Sequence, residues 1–181
     1  MNLSILGVFL VFIKTNLQLL DTGVFFYVSN AAGYLLIYAG IRQLIEEFQT
    51  LRRLAPYVLV MVLHSVGFAV LNGTGHSIQT ISLSGSLATI LAVSLALLAV
   101  AGMGMIFYIL HEVITAVRSD DSSAFPEVGS LEKMPGMFFI LLLMNCVLFF
   151  AAPSAASILM IVLLGAEVIF IASFSAKVRT I

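Results

Sequence analysis

Charge is scarce in this chain of 181 residues: 9% are charged, eight basic and nine acidic, against 61% hydrophobic. A soluble domain carries about a quarter charged residues, so the composition excludes that class and indicates an integral membrane protein. The formal net charge of -1 offers no basic surface, which excludes nucleic acid as a partner. The single cysteine, Cys146, lies in an apolar run and excludes an intrachain disulfide framework. Motifs are lacking too. There is no Ser/His, Cys/His or paired-carboxylate arrangement, and one buried acid cannot supply both halves of acid/base chemistry, so the chain reads as a non-enzyme. A metal held by His64, Glu167 and Cys146 would need three helices to converge without any local ligand motif, and no cofactor is expected.

What is present is a series of apolar runs, at 3–20, 24–42, 55–71, 83–110, 137–152 and 154–176. They predict an all-α fold: one polytopic transmembrane helix bundle of about six spans, occupying residues 1–181 as a single domain with the lipid bilayer as its surroundings. The first run is the exception. Its strictly apolar part, 3–13, covers about 16 Å at 1.5 Å per residue, short of a hydrocarbon core of about 30 Å. It crosses only if Lys14, Asn16 and Gln18 are tolerated, with Lys14 snorkelling to an interface; a re-entrant or interfacial segment is the alternative.

Basic residues set the orientation. Arg42, Arg52 and Arg53 follow the second run, Arg118 and Lys133 flank the connection after the fourth, and Lys177 and Arg179 follow the sixth. The opposite connections, 72–82 and 151–154, contain no Lys or Arg. The basic side is therefore expected to be cytoplasmic, and six spans place both termini there. On that side, 42–54 (RQLIEEFQTLRRL) has Leu44, Phe48, Leu51 and Ala55 at helical spacing, which predicts an amphipathic continuation at the membrane surface, ended by Pro56. The stretch 118–133 has no apolar period and reads as a loop whose acids, Asp120, Asp121, Glu127 and Glu132, lack calcium-loop spacing. On the other side, 72–76 (NGTGH) is turn-forming, because glycine accepts positive φ and asparagine tolerates it.

The candidate site lies at depth. Glu167 is the only charge in the last run, and a carboxylate there costs about 2.5 to 3.5 kcal/mol, so it is expected to face the bundle interior. Counting from the span boundaries brings Tyr34, His64 and Asn145 to a similar depth, which suggests one polar layer. A His64–Glu167 pair would make a proton-coupled or cation-binding element. A neutral carboxyl bonded to Asn145 or to a carbonyl would only join helices. Insertion alone demands neither, since the surrounding Ile, Leu, Val and Phe favour insertion by about 0.3 to 0.6 kcal/mol each. In the fourth run, Ala88, Ala92 and Ala96 form a small-residue ridge for close helix packing, inside the bundle or against another membrane subunit. His111 and Glu112 mark its inner interface and need no special role.

The stretch Gly33-Tyr34-Leu35-Leu36-Ile37-Tyr38-Ala39-Gly40-Ile41-Arg42-Gln43-Leu44 resembles one found in small, uncharacterised membrane proteins of Gram-positive bacteria, over the first third of the chain. The resemblance implies a bacterial cytoplasmic membrane and a short first hairpin, but no activity. Size and span number are similar to those of the substrate-binding subunits of energy-coupling-factor vitamin transporters. Their Ala-x-x-x-Ala motif belongs in the first span, which lacks it here. The expected role is an accessory, sensory or assembly subunit of a larger membrane system. The alternative is a transporter or solute-binding subunit with an intramembrane polar site.

Overall fold

The computed structural model describes residues 2–17, 24–76, 85–120 and 131–178, and every regular element in them is helical. The elements are α1 (Asn2–Leu17), α2 (Val24–Leu44), a short 3-10 helix (Gln49–Leu54), α3 (Ala55–Gly73), α4 (Ser86–Asp120), α5 (Met134–Ala151) and α6 (Pro153–Val178). Helix is the answer apolar sequence demands, because in hydrocarbon each backbone N–H and C=O must be satisfied within its own segment. Proline sets the starts. Pro56, Pro135 and Pro153 each stand in the first turn of a helix, where the missing N–H has no intrahelical acceptor to lose. Only Ala152 separates α5 from α6, and its N–H closes α5 by bonding the Leu148 carbonyl at 2.7 Å.

Four helical stretches are long and apolar enough to cross a membrane: Val24–Leu44, Gln49–Gly73, Ser86–Arg118 and Pro153–Ala176. Two apolar helices are shorter, with α1 about 24 Å and α5 about 27 Å long at 1.5 Å per residue. The first segment is nonetheless packed inside the bundle. Val8, Val11 and Phe12 are buried, and α1 lies between α2 and α6.

Packing follows chain order and closes on itself: each helix meets the next, and α6 returns to α1. Contact between α1 and α4 crosses the middle of this ring, where Phe12 faces Phe107 with ring centroids 5.9 Å apart. The aromatic series continues through Phe138 to Phe170, at 6.1 and 5.7 Å. The buried positions of the helices recur by alternate steps of three and four. On α6 they are Ala156, Met160, Leu163, Glu167 and Phe170; on α2, Tyr27, Asn30, Tyr34, Ile37 and Ile41. This is the seam spacing of packed helices, turned toward the bundle axis.

The tightest helix pair is α1 with α2, and it rests on glycine. A Cβ built on Gly7 would lie 2.5 Å from the Gly33 carbonyl oxygen, and one on Gly33 would lie 2.8 Å from the Gly7 oxygen. A Cβ on Gly40 would meet the Ser4 hydroxyl. The small-residue seam is thus in the first hairpin. On α4, Ala92 is buried while Ala88 and Ala96 are half-buried, and this half of the helix is largely exposed, Leu87 to 80%. The second half of α4 carries the core, through Ile106, Ile109 and Ile114.

Two connections differ from expectation. The stretch 42–54 is not one surface helix: α2 ends at Leu44, the chain turns, and the 3-10 helix tucks Leu51 and Leu54 into the core at 1% and 0% exposure. Burial of those two leucines, with an ion pair from Arg53 to Glu112 of α4, draws the elbow inward. Glu112 therefore has a structural role. At the other end, α3 runs through Gly73, and the positive φ, 78°, falls at Gly75 rather than at Asn72 or Gly73. The helix reading of α4 extends past 110 to Asp120, where Arg118 pairs with Glu132 at the start of the next element. Residues 121–130, including Asp121 and Glu127, the 77–82 part of the opposite connection, the side chains of Lys14 and Lys177, and Arg179 lie outside the described residues.

Candidate functional site

Among the described residues, the buried polar ones are Asn30, Ser65, Asn145 and Glu167, each on the inward seam of its helix. Glu167 is fully buried, so its expected inward facing holds. Tyr34 is also fully buried, and its hydroxyl meets no hydrogen-bond partner. His64 is half-buried; its ring rests against Gly102 of α4, where a Cβ would collide with it, and lies 4.7 Å from the ring of Phe68.

Helix register places the four candidates in two pairs. The α2–α3 register is fixed by the Asn30–Ser65 bond and by the stacked Tyr27 and Phe68 rings, 5.6 Å apart. That places His64 within about a turn of Asn30 and Tyr34. The α5–α6 register is fixed by Phe138 against Phe170. Counting back along antiparallel helices sets Asn145 level with residue 163, about 6 Å along the axis from Glu167. Consistent with that offset, both amide atoms of the fully buried Asn145 lack a hydrogen-bond partner. The bond from Asn145 to Glu167 is absent. The extensive contacts of α2 and α3 are with each other, with α1 and with the 3-10 helix, and those of α5 and α6 are with each other, with α4 and with α1. Tyr34 and His64 thus belong to one half of the ring, and Asn145 and Glu167 to the other. His64 and Glu167 stand on α3 and α6, which share no extensive backbone contact.

Sequence reasoning missed Asn30 and Ser65. Asn30 donates its amide N–H to the Ser65 hydroxyl at 2.6 Å, and that hydroxyl donates to the Met61 carbonyl at 2.8 Å. The signal was available: Asn30 is four residues before Tyr34, hence on the same helix face.

A cavity of about 410 Å³ opens elsewhere, at the end of the bundle that carries Arg42, Arg52 and Arg53. Its walls are Ile41, Val113, Phe170, Phe174 and other apolar side chains from α1, α2, α4 and α6, with Phe48 of the elbow. Only Ser4, Gln43 and Glu47 give it polar lining, and none of Tyr34, His64, Asn145 or Glu167 reaches it. The described residues contain no group of three His, Cys, Asp or Glu side chains placed to hold a metal. No family model, no curated protein and no solved structure matches the chain.

Proposed function

We propose that this chain is a multi-pass protein of a bacterial cytoplasmic membrane, with six spans and both termini inside, acting as a non-enzymatic accessory, sensory or assembly subunit of a larger membrane system. The observation that carries the reading is that the buried polar residues do not line the cavity. A translocated solute needs polar groups gathered around a space it can enter. Here Asn30 and Ser65 lie on α2 and α3, Asn145 and Glu167 lie on α5 and α6, and none of them lines the cavity at the basic end, whose walls are mostly apolar. The Asn30–Ser65 bond joins α2 to α3, a helix-specifying use of polar side chains that needs no solute. The placement of α1 and α5 between longer helices supports six spans, since a short helix is accommodated by local thinning of the bilayer.

The test is purification in a mild detergent followed by cross-linking and mass spectrometry. A second membrane protein is expected to co-elute in a defined ratio; recovery of the chain alone and monomeric overturns the subunit reading. Orientation is tested separately in a Cys146→Ser background. Arg52→Cys should react with an impermeant thiol reagent only from inside, and Thr74→Cys only from outside. The second reading, a transporter or solute-binding subunit, rests on Glu167, a fully buried acid in a span. It requires proton or cation flux in proteoliposomes that Glu167→Gln abolishes.

A further inference from the structure

We propose that the cavity at the basic end holds one acyl chain of a phospholipid with a primary-amine head, drawn from the adjoining leaflet, with Glu47 and Gln43 meeting the head. This inference rests on the membrane placement of the chain and not on its role as a subunit. The volume, about 410 Å³, falls within the range of true ligand sites, roughly 300 to 1,000 Å³. An apolar space of that size does not fill with water, because a water molecule needs about two to four polar partners. Along α2 the walls run from Ile37 to Leu44, and along α4 from Ile109 to Val117, so the space follows the helix axes for about 10 to 12 Å. A dry space with apolar walls, open at the head-group end, accommodates a folded or terminal part of a hydrocarbon chain and offers a polar solute almost no partners.

Polarity is confined to one place. Gln43 and Glu47 sit where α2 ends and the elbow begins, both exposed, so the polar groups stand at the level of the lipid heads while the walls below them are aliphatic. The charge of that rim is negative. No Lys or Arg lines the cavity, although Arg42 is adjacent in sequence and exposed, and Arg53 is paired with Glu112. A carboxylate at the mouth favours an ammonium and repels an anionic head, while Arg42 is available to a phosphate. An amine-headed zwitterionic lipid satisfies both groups.

The absence of tryptophan from the chain makes the test direct. Phe174→Trp puts a single fluorophore in the cavity wall, and Phe139→Trp puts one on α5 outside it, at a partly exposed position. Each full-length protein is reconstituted in vesicles of equal phosphatidylethanolamine and phosphatidylglycerol, with brominated acyl chains on one lipid or the other. Brominated phosphatidylethanolamine should quench the cavity fluorophore at least about twofold more than brominated phosphatidylglycerol, and the Phe139→Trp fluorophore should show no preference. Adding Glu47→Gln should abolish the preference, and adding Val113→Trp in a Phe174 background should lower the phosphatidylethanolamine retained through purification. Equal quenching by the two lipids at the cavity position overturns the proposal, as does a preference that survives Glu47→Gln. Should Phe174→Trp fail to fold, lipid counted by native mass spectrometry on the unaltered protein decides: one retained phosphatidylethanolamine supports the site, and none refutes it.

Discussion

Substituting Gly7 by alanine should loosen the first hairpin, although alanine is the better helix former. A Cβ at Gly7 would lie 2.5 Å from the Gly33 oxygen and 2.9 Å from the Ile37 nitrogen, both backbone atoms that cannot swing aside. Restoring ordinary contact near 3.4 Å requires α1 to retreat from α2 by about 0.9 Å. A gap of about 0.5 to 1 Å forfeits a quarter to a half of the dispersion well for every pair along the seam. Overpacking of this kind costs about 1 to 3 kcal/mol, offset by about 0.5 to 1 kcal/mol of helix propensity gained in replacing glycine. The net expectation is destabilisation of up to about 2.5 kcal/mol for Gly7→Ala, and somewhat less for Gly33→Ala, where the approach is 2.8 Å. Gly67 and Gly165 supply the control: each is exposed within a helix, with nothing within 4 Å of the added carbon. There alanine should bring only the propensity gain, up to about 1 kcal/mol. Reversible unfolding by sodium dodecyl sulfate in mixed micelles, followed by far-ultraviolet circular dichroism, measures all four. A Gly7→Ala protein as stable as Gly67→Ala would refute the glycine seam.

Asn145→Leu should stabilise the bundle in the same assay, by up to about 1 to 3 kcal/mol, because it removes a buried amide with neither atom bonded while keeping the side-chain volume near constant; a loss of stability would mean that the amide has a bound partner. Ser65→Ala should cost about 0.5 to 2 kcal/mol, since it leaves the Asn30 amide without its acceptor across α2 and α3, and no loss would show that the 2.6 Å bond is inert. A double-mutant cycle on Arg53→Ala and Glu112→Ala should give a coupling of about 0.2 to 1 kcal/mol that shrinks in high salt, because the Arg53 side chain is 67% exposed. A larger, salt-insensitive coupling would contradict an exposed latch between elbow and α4.

How much of this was legible follows from what the bilayer does to sequence patterns. Helix existence and order could be read, because length and hydropathy mark segments whatever their neighbours. Which face turns inward could not be read from hydropathy, since lipid and core are both apolar and a helix such as α6 has nothing but Glu167 to show its inward stripe. The exposed Ile161 and Ile169 and the buried Met160 and Phe170 are equally hydrophobic in type. Only polar residues break that degeneracy, and Glu167 did so correctly for its own helix. Depth counting proposes a layer, because rise per residue is constant; it could not find partners, because depth carries no information about position around the ring. Phe12 and Phe107 illustrate the loss. Nothing in their local sequence predicts that they meet, yet their contact crosses the middle of the ring and lies between the half that holds His64 and the half that holds Glu167. The glycine seam of the first hairpin escaped notice for a different reason. Ala88, Ala92 and Ala96 are regular in sequence, whereas Ser4, Gly7, Gly33 and Gly40 are divided between two helices and become a pattern only once those helices are antiparallel and in register. Close approach is a property of the pair. A regular stripe on one helix has meaning only when a matching stripe stands opposite, which for α4 would have to come from a partner surface and for α1 is supplied by α2.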